Sequence, residues 1–157
     1  MSIELEAAPQ SAAKARLRLW LRMLRSTRLI ESELRERLRL EFQATLPRFD
    51  VMAALYRQRD GMIMSDLSRF LMVSNGNVTG IIDRLVSDGL VSRQKREGDR
   101  RTSFVRLTSA GISAFEEMAR SHEAWVSALL ADFSGDEAAQ LAGQLKNFES
   151  EWEARHE

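Results

Sequence analysis

The segment from residue 64 to residue 107 constrains the fold more than any other part of this 157-residue chain. Its apolar residues recur at helical spacings in two short runs, which a tight turn over residues 72–74 separates. Gly89 stands at the expected end of the second run, and the alternating runs LVSR and TSFVRL follow it. The pattern predicts a helix-turn-helix unit followed by a β-hairpin with a highly charged tip, QKREGDRR.

The second short helix has a polar face turned away from its apolar face. At 100° per residue, with Val78, Ile82 and Leu85 placed on the core, the residues that point outward are Gly76, Asn77, Gly80, Arg84 and Ser87. Asparagine can pair with adenine and arginine with guanine. Exposed glycines weaken a helix, so their presence on this face favours close approach of another molecule to the helix backbone. The alternative is an ordinary solvent-facing surface. On the other short helix, the residues expected to face the core are Leu67, Phe70 and Leu71.

Helical patterns on both sides of this segment predict a mainly α-helical chain. Glutamates alternate with arginines over residues 12–40, which favours a packed helix with intrahelical ion pairs over a helix lying on a membrane. Pro47 suits the first turn of a second helix. Thr108 can cap a long helix that extends to about Phe133, and a capping box begins the last helix at Ser134. The stripe expected on the first helix is Met23, Ile30, Leu34 and Leu38.

The charge distribution is uneven although the formal net charge is zero. Residues 1–106 hold 20 Lys and Arg against 13 Asp and Glu, while residues 107–157 hold 3 against 10. Such asymmetry favours an anionic partner for one part of the chain. Arginine outnumbers lysine 20 to 3, which suits phosphate and base recognition but also fits a codon bias.

Composition argues against an enzyme, a metal site and a membrane protein. The chain has no cysteine, only two histidines and no glycine-rich phosphate loop, so no cofactor or metal is expected. Its first residues lack the basic and apolar regions of a secretory signal, and no apolar run approaches the length that spans a bilayer. These features predict a cytoplasmic protein.

The motifs DRLVSDGLVSR, GDRR and VRLTSAG, in the order helix-turn-helix, hairpin and long helix, resemble the MarR family of winged-helix transcription regulators. The resemblance covers the chain from about Leu17 to Trp152. It implies a mainly α fold with a small two- to three-stranded β-wing, in a single domain over residues 1–157. Residues 12–44 and 109–155 would form dimerisation helices, and residues 46–108 the winged-helix lobe.

The resemblance also implies a homodimer that binds a pseudo-palindromic DNA operator. The expected DNA contacts on the second short helix and at its N-terminus are Ser74, Asn75, Asn77, Thr79, Gly80 and Arg84. In the hairpin they are Lys95, Arg96, Asp99, Arg100 and Arg101, with Asp99 orienting the arginines, one of which enters the minor groove. Gly80 departs from the family pattern, because many members carry a basic residue there.

Family members bind small aromatic or anionic effectors, and binding releases DNA. The stretch LRLWLRMLRSTRLIE resembles a subgroup linked to aromatic-acid catabolism, so an aromatic carboxylate or its CoA thioester is the expected effector. The arginines would neutralise its carboxylate or phosphates, although simple core packing also accounts for each aromatic residue. The candidate contacts are Arg16, Trp20, Arg25, Arg28, Phe49, Met52, Tyr56, His122 and Trp125.

The sequence therefore predicts a ligand-responsive transcription regulator, with repression as the family's commoner mode. Two other functions compete with it: a winged helix that binds protein or RNA instead of duplex DNA, and an arginine-rich helix at a membrane surface. Salt-dependent duplex binding would separate the first of these from the prediction.

Overall fold

The structure is a computed structural model that describes residues 11–72, 75–95 and 103–156. The chain divides into two compact units, Met1–Met118 and Ala119–Glu157. The elements in chain order are α1 (Ala12–Phe42), α2 (Leu46–Arg57), β1 (Met62–Ile63), α3 (Met64–Leu71), α4 (Asn75–Ser87), β2 (Val91–Lys95), β3 (Ser103–Leu107), α5 (Ser109–Leu129) and α6 (Gly135–His156). The mainly helical class and the helix-turn-helix followed by a hairpin are confirmed.

The first helix, α1, is held by local interactions that its sequence predicts. The Ser11 side chain accepts a hydrogen bond from the backbone N–H of Lys14, and Gln43 closes the helix in the left-handed conformation. Only the C-terminal half of the apolar stripe reaches the core, where Leu34 and Leu38 are buried. The expected intrahelical ion pairs are Arg35–Glu31 at 3.8 Å, Arg37–Glu33 at 2.7 Å and Arg39–Glu36 at 2.7 Å.

The core of the first unit forms around α2. Thr45 caps this helix, Pro47 lies in its first turn, and Gly61 follows its end with a φ of 106°. Burial of apolar surface on this scale is the main favourable term in folding. The side chains that are less than 2 % exposed are Leu38, Val51, Met52, Leu55, Leu67, Val78, Ile82, Leu85 and Val105.

A three-stranded antiparallel sheet has the order β1-β3-β2. The hairpin register pairs Val91 with Leu107 and Lys95 with Ser103, as the alternating runs predict. The short strand β1 pairs with the other edge of β3, with Met62 opposite Val105. A strand of two residues is too short to produce an alternating pattern, so β1 has no sequence signal of its own.

Two expectations about individual helices are wrong. Phe70 is 57 % exposed instead of facing the core, because α3 turns Leu67 and Ser68 inward. The long helix α5 ends at Leu129, short of Phe133.

The last helix, α6, begins as the capping box predicts. The Ser134 hydroxyl accepts a hydrogen bond from the backbone N–H of Glu137 at 3.1 Å and donates one to the Glu137 carboxylate at 3.2 Å. The apolar side chains along α6, Leu141, Leu145, Phe148 and Trp152, are 45–57 % exposed. Among the described residues, no helix is long and apolar enough to cross a membrane.

Candidate nucleic-acid interface

The helix α4 has the two faces that its periodicity predicts. Val78, Ile82 and Leu85 are fully buried and fix the rotation of the helix against the first unit's core. On the opposite side, solvent reaches Gly76, Asn77, Thr79, Gly80, Asp83, Arg84 and Ser87. This polar surface, which we term the α4 outer face, presents the amide of Asn77, the hydroxyl of Thr79 and the guanidinium of Arg84 within about two helical turns.

Packing within the protein does not require the glycines of the α4 outer face. A Cβ atom added at Gly76 or at Gly80 would meet no atom of the described residues within 4 Å. Glycine within a helix costs about 1 kcal/mol relative to alanine, so these positions lose stability without a compensating contact in the chain. They leave the helix backbone open to close approach by another molecule.

The LT-x-x-G motif at the start of α5 consists of Leu107, Thr108 and Gly111, and the contacts of its threonine and glycine explain it. The Thr108 hydroxyl donates a hydrogen bond to the Gly89 carbonyl oxygen at 2.7 Å and accepts one from the Gly111 N–H at 3.0 Å. A Cβ atom at Gly111 would overlap the carbonyl oxygen of Leu90. The motif therefore joins the N-terminus of α5 to the turn that ends α4, where Gly89 has a φ of 76°.

Two ion pairs that sequence reasoning missed hold α4 to its neighbours. The Arg93 guanidinium on β2 lies 2.8 Å from the Asp83 carboxylate on α4. The Arg48 guanidinium on α2 lies 2.7 Å from the Asp88 carboxylate directly after α4. Each pair joins residues distant in sequence, so helical periodicity carries no signal for either.

The predicted contacts in and before the hairpin are described only in part. Lys95 is exposed at the end of β2. Asn75 is the first residue of α4. The other predicted contacts, Ser74, Arg96, Asp99, Arg100 and Arg101, lie outside the described residues.

Open grooves border the α4 outer face on two sides. One, of about 800 Å³, lies between α4, the start of α2 and α5, and its lining includes Arg48, Gly80, Arg84 and Glu117. The other, of about 780 Å³, lies towards α1, and its lining includes Arg35, Asp50 and Ile81. Partial burial raises the pKa of Asp50, and nearby Glu31 raises it further, while Arg35 opposes both. Asn77 lines both grooves.

The candidate effector residues of the first unit lie in two separate places. Phe49 is 5 % exposed and Met52 is fully buried, as core residues are. Phe49 and Tyr56 both pack on Phe115, with ring centroids 5.4 Å and 4.8 Å away. The Tyr56 hydroxyl donates a hydrogen bond to the Glu116 carboxylate at 2.9 Å.

Four further candidates are exposed on α1: Arg16, Trp20, Arg25 and Arg28. Arg25 and Arg28 line a groove of about 320 Å³ together with three leucines of the same helix. His122 and Trp125 belong to the second unit. Burial lowers the pKa of His122. The Arg59 guanidinium, which the sequence did not single out, lies 4.3 Å from the centre of the Tyr56 ring.

Comparison with known proteins gives this arrangement a context. The MarR family profile matches residues 44–103. The transcriptional activatory protein BadR of Rhodopseudomonas palustris is 39 % identical over 57 % of this chain and 53 % of its own length. The transcriptional repressor YetL of Bacillus subtilis is 28 % identical over 62 % of this chain and 59 % of its own length. The chain thus spans little more than half the length of these curated relatives.

A solved structure extends the similarity to nearly the whole chain. The crystal structure of a MarR family transcriptional regulator from Silicibacter pomeroyi is 31 % identical, covers 91 % of this chain and 99 % of its own, and superposes with a TM-score of 0.73. The match includes the flanking helices as well as the helix-turn-helix. The chain belongs to the MarR family, a family of transcription regulators rather than enzymes.

Proposed function

We propose that this protein is a homodimeric transcription regulator that binds duplex DNA through the α4 outer face. The observation that carries the proposal is the geometry of α4. Three fully buried residues fix the helix, while its exposed side combines Asn77, Thr79 and Arg84 with two glycines at which an added Cβ atom would contact none of the described residues. A polar helix surface of this kind fits the major groove, which is wide enough to admit an α-helix.

In this proposal each exposed group has a distinct role. Asn77 offers the paired donor and acceptor that match adenine, and Arg84 offers the fork that matches guanine or a phosphate. Gly80 lets the duplex approach the helix backbone more closely than a basic side chain would. Lys95 and the arginines beyond it, Arg96, Arg100 and Arg101, would meet the sugar-phosphate backbone or the neighbouring minor groove, with Asp99 orienting the arginines.

Exposed apolar residues at both ends of the chain support a dimer. In a single copy, Leu17, Trp20 and Leu21 of α1 are 52–56 % exposed. The apolar side chains of α6 are exposed to a similar degree, 45–57 %. Contiguous apolar surface on this scale indicates a protein interface. A two-fold dimer would present two copies of α4 to a pseudo-palindromic operator, with half-sites centred about 10 bp apart.

The DNA proposal is tested by titrating the protein with the duplex upstream of its own gene at two salt concentrations. Because Lys and Arg contacts release counterions, binding should weaken steeply as salt rises. Arg84→Ala should cost about 5- to 150-fold in affinity for that duplex, on the scale of 1–3 kcal/mol per base contact. Arg57→Ala, which removes an exposed arginine at the end of α2, is the matched control. Salt-independent binding, or equal binding by both variants, would contradict the proposal.

We further propose that an aromatic carboxylate or its CoA thioester is the effector and that the free protein represses. Exposed Trp20 together with Arg16, Arg25 and Arg28 on one helix supports a ligand that combines an aromatic group with negative charge. Such a ligand releases DNA only if it binds the DNA-free conformation better, with a typical coupling of about 1–3 kcal/mol.

Melting curves and duplex titrations with benzoate, hydroxycinnamates and their CoA thioesters test the effector. One of them should raise the melting temperature and weaken duplex binding. If none does either, the effector proposal fails and the DNA proposal stands. In vitro transcription tests the direction of regulation, on which relatives differ, since one is named an activatory protein and another a repressor.

A further inference from the structure

Met72 has a left-handed backbone and a highly exposed side chain, and both are unusual for methionine. It closes α3 in the left-handed conformation, with φ 55° and ψ 38°, and its N–H donates to the carbonyl oxygens of Ser68 and Arg69. Glycine or asparagine ordinarily fills such a position, because a Cβ atom is strained there. Met72 is also 91 % exposed. Neither the backbone nor packing against the described part of the chain accounts for a methionine at this position.

The position of Met72 suggests what its side chain contacts. It lies three residues before Asn75, the first residue of α4, so their Cα atoms are at most about 11 Å apart. If the N-terminus of α4 enters the major groove, the Met72 side chain lies at the edge of that groove. The apolar group on a base edge there is the C5 methyl of thymine. A flexible, polarisable thioether side chain packs well on such a group.

We propose that Met72 contacts a thymine methyl beside the start of α4 and so contributes to operator specificity. This inference rests on the proposed DNA-binding function. Met72 lies before α4 and is not one of the residues proposed above to contact bases. The exposed apolar side chain at the turn would then select sequence by burial of a methyl group, without a hydrogen bond.

The test is a double-mutant cycle between Met72 and the thymine methyls of a duplex obtained by in vitro selection with the wild-type protein. Deoxyuridine replaces thymine, first throughout and then one position at a time, which removes only the methyl group. Met72→Asn removes the apolar tip and suits the left-handed backbone, while Met72→Leu keeps an apolar side chain. Leu40→Asn, at a residue 64 % exposed on α1, controls for loss of an exposed apolar group elsewhere.

At one thymine per half-site, deoxyuridine should weaken wild-type binding by about fourfold, the value of one buried methyl group. Met72→Asn should bind the thymine duplex correspondingly less tightly and should be indifferent to deoxyuridine at that position. Met72→Leu should retain most of the wild-type response, and Leu40→Asn all of it. Melting temperatures should show Met72→Asn to be at least as stable as the wild type, since asparagine tolerates this backbone.

Equal losses for the wild type and Met72→Asn at every thymine would overturn the inference while leaving DNA binding intact. No loss for either protein would overturn it in the same way. If selection with the wild-type protein enriches no duplex at all, the proposed function fails, and the inference fails with it. Substitution of Met72 that changes dimerisation but not duplex affinity would assign the side chain to a protein contact instead.

Discussion

At the scale of single residues, two helical glycines have opposite surroundings. Gly111 faces the Leu90 carbonyl oxygen so closely that no Cβ atom fits, whereas Gly80 faces open space. The first is required by the packing of the protein itself. At Gly80 the described residues leave room for a side chain, so we infer that glycine serves the approach of a binding partner at this position.

Alanine substitution should separate these two glycines by thermal or urea unfolding. Gly80→Ala should stabilise the protein by about 0.5–1 kcal/mol, because it lowers the entropy cost of forming the helix. Gly111→Ala should destabilise it by roughly 1–3 kcal/mol, since the overlap outweighs the same helical gain. A Gly111→Ala protein more stable than the wild type would contradict the close contact at Leu90, and a destabilised Gly80→Ala protein would contradict the open surroundings of Gly80.

The same Gly80→Ala protein should bind its operator less tightly than the wild type although it is more stable. A methyl group on the α4 outer face would hold the duplex away from the helix backbone. Fluorescence anisotropy with a labelled operator measures the change, and Gly135→Ala at the start of α6 is a control that adds the same methyl group away from the α4 outer face. Unchanged or tighter binding would show that close approach at Gly80 is not needed.

Protonation of His122 should make stability depend on pH. Burial lowers its pKa in the folded protein below the value of about 6.5 that the unfolded chain retains. The unfolded chain therefore binds the proton first as pH falls, so stability from this group decreases below about pH 6.5. His122→Gln should reduce the difference in unfolding free energy between pH 7.5 and pH 5.5. An unchanged difference in His122→Gln would exclude this cause.

At the scale of elements, the ion pair between Asp83 and Arg93 joins α4 to β2 at 2.8 Å. Both side chains are partly exposed, so the pair should contribute no more than about 1 kcal/mol to stability. Its larger effect should be on orientation, because α4 and the hairpin would contact adjacent parts of one duplex.

Asp83→Asn should therefore lower the ratio of specific to non-specific affinity while changing stability little. Removing a carboxylate from the α4 outer face also lessens repulsion of any phosphate, so non-specific binding should hold or increase. Competition between operator and random duplex measures the ratio. Asp66→Asn, which breaks the exposed pair with Arg69 on α3, is the matched control. An equal ratio in all three proteins would exclude this positioning role.

Sequence patterns predicted the elements well where neighbouring residues decide the structure. The rotation of α4 follows from Val78, Ile82 and Leu85, and the capping box at Ser134 marks the start of α6. Contacts between distant segments decide the rest. The outward position of Phe70, the strand β1 and the Asp83–Arg93 pair depend on which segment packs nearby, which local periodicity does not contain.

The candidate sites were predictable to different degrees for the same reason. The α4 outer face is one surface of one helix, so its membership follows from a 100° rotation per residue. The candidate effector residues come from three helices, α1, α2 and α5. The structure brings Phe49 and Tyr56 together through Phe115 and leaves Trp20 exposed on α1, a division that the sequence does not show.

At the scale of the whole molecule, the exposed apolar surface of α6 should lie in the dimer interface. Phe148 and Trp152 are 57 % and 51 % exposed in a single copy, with their ring centroids 6.2 Å apart. Phe148→Glu should place a charge in that interface and shift the protein towards monomer, measured by sedimentation velocity at several concentrations. Glu149→Gln, on the adjacent residue of α6, should remain dimeric. A Phe148→Glu protein that stays fully dimeric would exclude this surface from the interface.

The central claim is that two copies of α4, related by a two-fold axis, bind one duplex together. The most direct test compares the affinity for a selected operator with that for variants whose half-site spacing is increased by 5 bp or 10 bp. Five base pairs rotate one half-site by about half a turn of the duplex, to its opposite face. We expect a large loss of affinity with 5 bp added and separate, weaker half-site binding with 10 bp. Equal affinity for all three duplexes would contradict the account.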